Sequence, residues 1–118
     1  HFHLIDSIGK KIKVVNAVVD ELNLKNIKTY HDRVENFNGK VDFVVCRAVA
    51  PMETLVYWAK DKISKKNKHS IPNGMLCLKG GDLTDELKNF PNAKIFCLNA
   101  YYKQAFFETK KVVYLPLS

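Results

Sequence analysis

The run Val41-Asp42-Phe43-Val44-Val45-Cys46 decides the fold, and Arg47 ends it. It is short, rich in β-branched residues and almost unbroken in its apolar character. Strict alternation would mark a strand with one wet face. A continuous run marks a strand covered on both faces, as in a parallel sheet. The upstream sequence agrees. Phe2-His3-Leu4-Ile5-Asp6 reads as a short strand, and Ile8, Ile12, Val15, Val19 and Leu22 then recur at helical spacing. Lys10, Lys11, Lys13, Asn16 and Asp20 lie mostly on the other faces of that helix. Ser7 is placed to be its N-cap. Residues 24–26 turn the chain, and 27–31 read as a second strand.

Downstream, Pro51 suits the first turn of a helix whose apolar stripe is Met52, Leu55, Val56, Ala59 and Ile63. Residues 65–70 form a polar loop, and Pro72-Asn73-Gly74 is a turn signal. Met75-Leu76-Cys77-Leu78-Lys79 is the next strand, followed by Gly80-Gly81. Residues 82–87 have the pattern of a short helix. Two closing strands, 93–98 and 111–115, are joined by an irregular aromatic stretch. Phe106 and Phe107 in that stretch are expected in the core, while Tyr101 and Tyr102 are open to either burial or base stacking. Strands alternating with helices define an α/β protein built from βαβ units. The 118 residues suffice for one domain and not for two full cores.

The net charge of +7 comes from 19 basic residues, of which only Arg33 and Arg47 are arginine. A polyanion such as RNA would answer that charge. A general use of Lys as the solubilising residue explains most of it equally simply. No apolar run approaches a membrane span, and no signal peptide opens the chain. Cys46, Cys77 and Cys97 contain no CxxC pair and read as small buried hydrophobes of a protein in a reducing cytoplasm. The four His are scattered, so no metal is expected.

In open α/β sheets the ligand binds beyond the C-terminal ends of the strands. Asp6-Ser7, His31-Asp32-Arg33-Val34-Glu35, Arg47 and Lys79-Gly80-Gly81 stand at those ends. Asp6 could accept hydrogen bonds from ribose hydroxyls or serve as a helix N-terminal carboxylate, and spacing does not decide between them. Val34-Glu35 could border an adenine ring or form an ordinary loop. Arg47, in an apolar setting, needs a carboxylate or an anionic ligand, and the ligand is the better fit. Lys79 could meet phosphate or cap the sheet edge.

Five motifs in order resemble those of a known family. They are His3-Leu4-Ile5-Asp6-Ser7-Ile8-Gly9-Lys10-Lys11, then Glu21-Leu22 with Leu24 and Asn26-Ile27, then Arg33-Val34-Glu35, Cys46-Arg47-Ala48-Val49-Ala50 and Leu78-Lys79-Gly80. The family is that of the bacterial 16S ribosomal RNA guanine-N7 methyltransferases, methyltransferase G or glucose-inhibited division protein B. The motifs span residues 1–81, and the rest matches only in strand pattern.

The resemblance implies a Rossmann-like class I methyltransferase sheet with helices on both faces. It implies S-adenosyl-L-methionine as cofactor and the 16S ribosomal RNA of the small subunit as partner. A cytoplasmic protein, monomeric at full length, is expected. Val34, Glu35 and Arg47 match cofactor-contacting positions, and Asp6 and Ser7 match the strand end near the cofactor ribose. Arg47 and Lys79 are the residues expected also to face RNA. No catalytic acid or base is expected, because guanine N7 carries a lone pair and no proton. The family's glycine-rich loop and first, central strand belong before His1. Residues 1–118 are therefore expected to be one partial methyltransferase domain, inactive alone. Two other function classes fit the layout: a nucleotide-dependent dehydrogenase and a non-catalytic basic RNA-binding module. A phospho-acceptor receiver domain does not, because Asp42 begins its strand rather than ending it.

Overall fold

Local sequence period is reproduced first in β1 (Phe2–Asp6), α1 (Gly9–Glu21) and β2 (Ile27–His31). β1 and β2 are parallel, in register from Phe2 against Ile27 to Asp6 against His31. The stripe of α1 is buried at Ile12 and half-buried at Val15 and Val19, whereas Ile8 and Leu22 at its ends are exposed. Asn16 Oδ1 accepts a hydrogen bond from Thr29 Oγ1 at 2.7 Å, fastening α1 to β2. The helix stops at Asn23, whose φ of 53° places it in the left-handed region. The Asn23 and Leu24 amides close back on the Asp20 and Val19 carbonyls, the paired bonds of a Schellman ending.

The computed structural model describes residues 1–47 and 50–117. They form two units, His1–Asn38 and Gly39–Ser118. Ala48 and Val49, within one of the motifs quoted above, lie outside the described residues.

The second unit runs β3 (Phe43–Arg47), α2 (Met52–Ala59), β4 (Gly74–Gly80), β5 (Lys94–Cys97) and β6 (Lys110–Pro116). Its sheet has the order β3-β4-β6-β5. β3 and β4 are parallel, but β6 is antiparallel to both β4 and β5. The sheet is therefore mixed rather than parallel. β5 and β6 are joined without a crossover helix, and a direct return reverses direction. Met52, Leu55 and Ala59 of α2 pack on Met75, Cys77, Val113 and Leu115 to make the core.

Four expectations are corrected. Val45 is 68% exposed, because α2 covers only the face reached by Val44 and Cys46. Residues 84–89 form turns rather than a helix. Asp82 Oδ1 captures the Thr84 amide at 2.9 Å and its hydroxyl at 2.6 Å, a local alternative to helical bonding. Cys97 is exposed on β5, which among the described residues pairs with β6 alone. Phe106 is 60% exposed on the β5–β6 connection, and Phe107 alone of the pair is half-buried.

Gly74 begins β4 opposite Pro116. A Cβ there would lie 2.8 Å from the Pro116 Cα and closer still to the Leu115 carbonyl oxygen. Backbone atoms cannot retreat cheaply. Gly74→Ala is expected to cost about 3 kcal/mol, read as a lower urea midpoint for the full-length protein.

Candidate functional site

At the end of β1 the chain must leave the strand and enter α1 within two residues. Asp6 makes that turn: its Oδ1 accepts the Ile8 amide at 2.9 Å, and its carbonyl accepts the Asp32 amide at 3.0 Å. Ser7 does not cap the helix. The cap position is Ile8, with no side-chain cap bond, and the Asp6 carboxylate closes the turn that leads into it. The Ser7 carbonyl instead lies 3.2 Å from His31 Nε2, across from the end of β2.

Beyond β2, the Asp32 carboxylate accepts the Arg33 amide at 2.7 Å and Asn36 Nδ2 at 2.8 Å. The Asn36 bond first, and the Arg33 amide after it, hold its pKa below the usual carboxylate range. They also shape the short 3₁₀ turn Val34–Asn36. Val34 is half-buried, and the exposed Glu35 pairs with Arg33 at 3.0 Å. Asp6, Ser7, Val34 and Glu35 thus gather on one rim of the first unit, at adjacent strand ends.

The second unit separates the other two site residues. Arg47 pairs in register with Leu78, not Lys79. Side chains alternate along a strand, so Arg47 shares the open face with Val45 and Leu78. It is exposed, with no hydrogen bond or ion pair among the described residues. Lys79 points the opposite way, into the core, and is only 7% exposed. Its Nζ lies 2.5 Å from Glu86 Oε2 and donates to the Ala50 carbonyl at 2.6 Å. The ammonium expected at phosphate is turned inward.

Glu86 was not legible as part of this arrangement. Besides pairing Lys79, its carboxylate accepts the Met52 amide at 3.0 Å, at the start of α2. An anion there answers both the ammonium and the unpaired amides of the helix terminus. Its sequence signal was only one acid in a stretch that reads as a helix. Lys79, Glu86, Ala50 and Met52 together brace the chain just after Arg47.

Cys46, adjacent to Arg47, faces Cys77 with 3.0 Å between sulfurs. The shared hydrogen bond pushes the Cys46 thiol down, whereas the same bond and burial push Cys77 up. Among the described residues no group of His, Cys, Asp and Glu could hold a metal ion, and no helix is long and apolar enough to cross a membrane.

The arrangement of strands, helices and rims is that of a Rossmann-like methyltransferase fold. A solved rRNA methylase from Streptococcus thermophilus shares it with a TM-score of 0.64 at 12% identity, over 98% of this chain and 73% of that one. The family model for rRNA small subunit methyltransferase G, GidB, matches residues 1–113, and the chain belongs to that family. Relatives named ribosomal RNA small subunit methyltransferase G are 59% identical in Christiangramia forsetii and 56% in Flavobacterium psychrophilum. Each alignment covers 98% of this chain, and 55% and 56% of those relatives. One from Parabacteroides distasonis is 49% identical over 99% of this chain and 51% of its own length. The chain spans about half the length of the relatives it matches.

Two outcomes follow from the site's bonding. Glu86→Gln strands a buried ammonium and is expected to cost about 3 kcal/mol, whereas Lys79→Met leaves Glu86 partly solvated and costs nearer ~1 kcal/mol; denaturant unfolding of the full-length variants reads the order. Iodoacetamide on the native protein should modify Cys97 first and Cys46 later, leaving Cys77 unmodified, as read by peptide mass spectrometry.

Proposed function

We propose that the protein containing this chain methylates N7 of a guanine in the 16S ribosomal RNA of the small subunit, with S-adenosyl-L-methionine as methyl donor. The observation that carries this reading is the family match over residues 1–113, joined to relatives of that name at 49–59% identity. We further read residues 1–118 as part of one methyltransferase domain, cytoplasmic and monomeric at full length. The relatives' greater length suits a glycine-rich loop and first strand contributed from outside this segment, and the segment alone is expected to be inactive.

The residues present fit the adenosine half of such a donor. Asp6 has only Oδ1 engaged by the backbone, so its second carboxylate oxygen suits a ribose hydroxyl. Val34, half-buried on its 3₁₀ turn, suits an apolar wall for adenine, with Glu35 at the polar edge. Ser7 continues the same rim. When bound, the donor supplies an electrophilic methyl group on a sulfonium.

Guanine presents N7 and O6 as acceptors on one edge. N7 needs no base to expose its lone pair, so the protein's work is alignment of nucleophile, methyl and leaving sulfur. Arg47 is the exposed cation at a strand end of the second unit and would hold a phosphate, the guanine O6 or the donor's carboxylate. Lys79 would act from behind, by fixing Ala50 and, through Glu86, Met52.

The test is methyl transfer by the full-length protein, using labelled donor and small subunits lacking the modification. Label should appear at a guanine N7, and Arg47→Ala should lower kcat/KM by about 10- to 100-fold, the loss of one charged hydrogen bond. A folded, donor-binding protein that transfers no methyl would sink the reading.

A further inference from the structure

The connection between β5 and β6, residues 98–109, has no role in the reading above. Its position follows from register. β5 ends at Cys97 opposite Lys111, and β6 begins at Lys110 opposite Gly80, the last residue of β4. The connection therefore leaves and re-enters the sheet at the rim where β3 and β4 end, the rim that carries Arg47. It is fastened there: the Gly81 amide donates to the Thr109 carbonyl at 3.0 Å, and Lys111 Nζ donates to the Gly81 carbonyl at 2.6 Å.

Three large rings are exposed on it, Tyr101 at 70%, Phe106 at 60% and Tyr102 at 50%. Two of them, Tyr102 and Phe106, are braced by Phe107. The Tyr102 ring stacks on Phe107 at 4.8 Å between centroids, and Phe106 meets Phe107 edge-on at 5.1 Å. Lys110 Nζ lies 5.1 Å from the Phe106 centroid. Lys103 lies in the connection and Lys110 and Lys111 follow it at the start of β6, so residues 98–111 hold three lysines against the single acid Glu108.

We infer that residues 98–109 form a stacking platform for unpaired bases of single-stranded RNA beside the reacting guanine. Tyr101 and Phe106 offer faces to the bases, and Lys103 and Lys110 meet the phosphates. Exposed rings set among cations at a substrate rim match what single-stranded nucleic acid presents, a π-face on every base and a charge on every linkage. An A-form duplex hides its base faces and offers hydroxyls and phosphates instead, so the partner is unpaired RNA. A protein partner would find the same rings, but the three lysines against one acid over residues 98–111 answer the repeating charge of phosphate.

This inference rests on the RNA substrate proposed above. It is tested with the full-length protein and a short single-stranded RNA carrying 2-aminopurine, with a duplex of the same sequence as control. Wild type should bind the single strand in preference and quench the probe. Phe106→Ser and Tyr101→Ser, both at exposed positions, should each weaken binding about 5- to 100-fold. They should raise the KM for RNA while leaving donor affinity and kcat near wild type. Lys103→Ala should lessen the salt dependence by about one phosphate contact.

Unchanged RNA affinity in the ring variants, with methyl transfer intact, overturns the platform and leaves the enzyme reading standing. Unchanged affinity for RNA alone, with impaired transfer to assembled subunits, also overturns it and assigns the rings to a ribosomal protein. A wild type that neither binds RNA nor transfers methyl overturns both.

Discussion

A buried ammonium must be answered by an anion, and much of the second unit is arranged around the answer given to Lys79. Taking its charge out of water costs several kcal/mol unless a partner and hydrogen bonds replace the lost hydration. Glu86 and the Ala50 carbonyl supply them. The consequence reaches beyond one ion pair. Glu86 comes from the turn after β4, Ala50 from the segment after β3, and the Met52 amide that Glu86 also accepts from the first residue of α2. Three chain segments are tied at one point. α2 has eight residues, too short to be stable without its tertiary contacts. An external carboxylate at its first amide and burial of Met52, Leu55 and Ala59 make it viable.

The pleat then divides the charges at the rim into two kinds. Lys79 and Cys77 share the face that α2 covers, while Arg47, in register with Leu78, occupies the other. Both are cations at a strand end, so their sequence settings look alike, but one structures the site and the other is presented to solvent. Asp6 shows that closing a turn and the proposed ligand role are compatible on one side chain. A carboxylate has two oxygens, and the Ile8 amide takes Oδ1 alone.

What was legible follows from which forces are local. All six strands and the helices α1 and α2 came through because period and turn residues are written in adjacent positions. The helix cap failed by one residue: the turn closed by the Asp6 carboxylate on the Ile8 amide carries the chain one position further before α1 begins. Val45 failed for another reason. A continuous apolar run tells what a strand can tolerate on each face, and covering that face requires an element that α2 does not provide. Phe106 belongs to the same kind, because burial of a loop ring depends on what the loop lies over. Lys79 could be placed at a strand end but not assigned a face's contents, as its partner Glu86 sits in a turn that sequence pattern renders as helix.

The candidate residues could be placed at strand ends by pattern, but their proposed roles came only through resemblance, and the proposed chemistry explains why. Acid–base catalysis leaves a signature because proton transfer demands titratable groups within hydrogen-bond reach of the reacting atoms. Methyl transfer to an atom with a free lone pair makes no such demand. The groups it needs are those that hold two large partners in line, and the residues proposed for this are ordinary ones: a strand-end carboxylate, a half-buried valine, one exposed arginine. Their types are common at any sheet rim, so their identities carry little information. Their order along the chain carries much more, because it reflects the succession of strand ends that the fold brings to one rim of each unit. In a protein of this kind, function is therefore written in the spacing of weak motifs and hardly at all in any single residue.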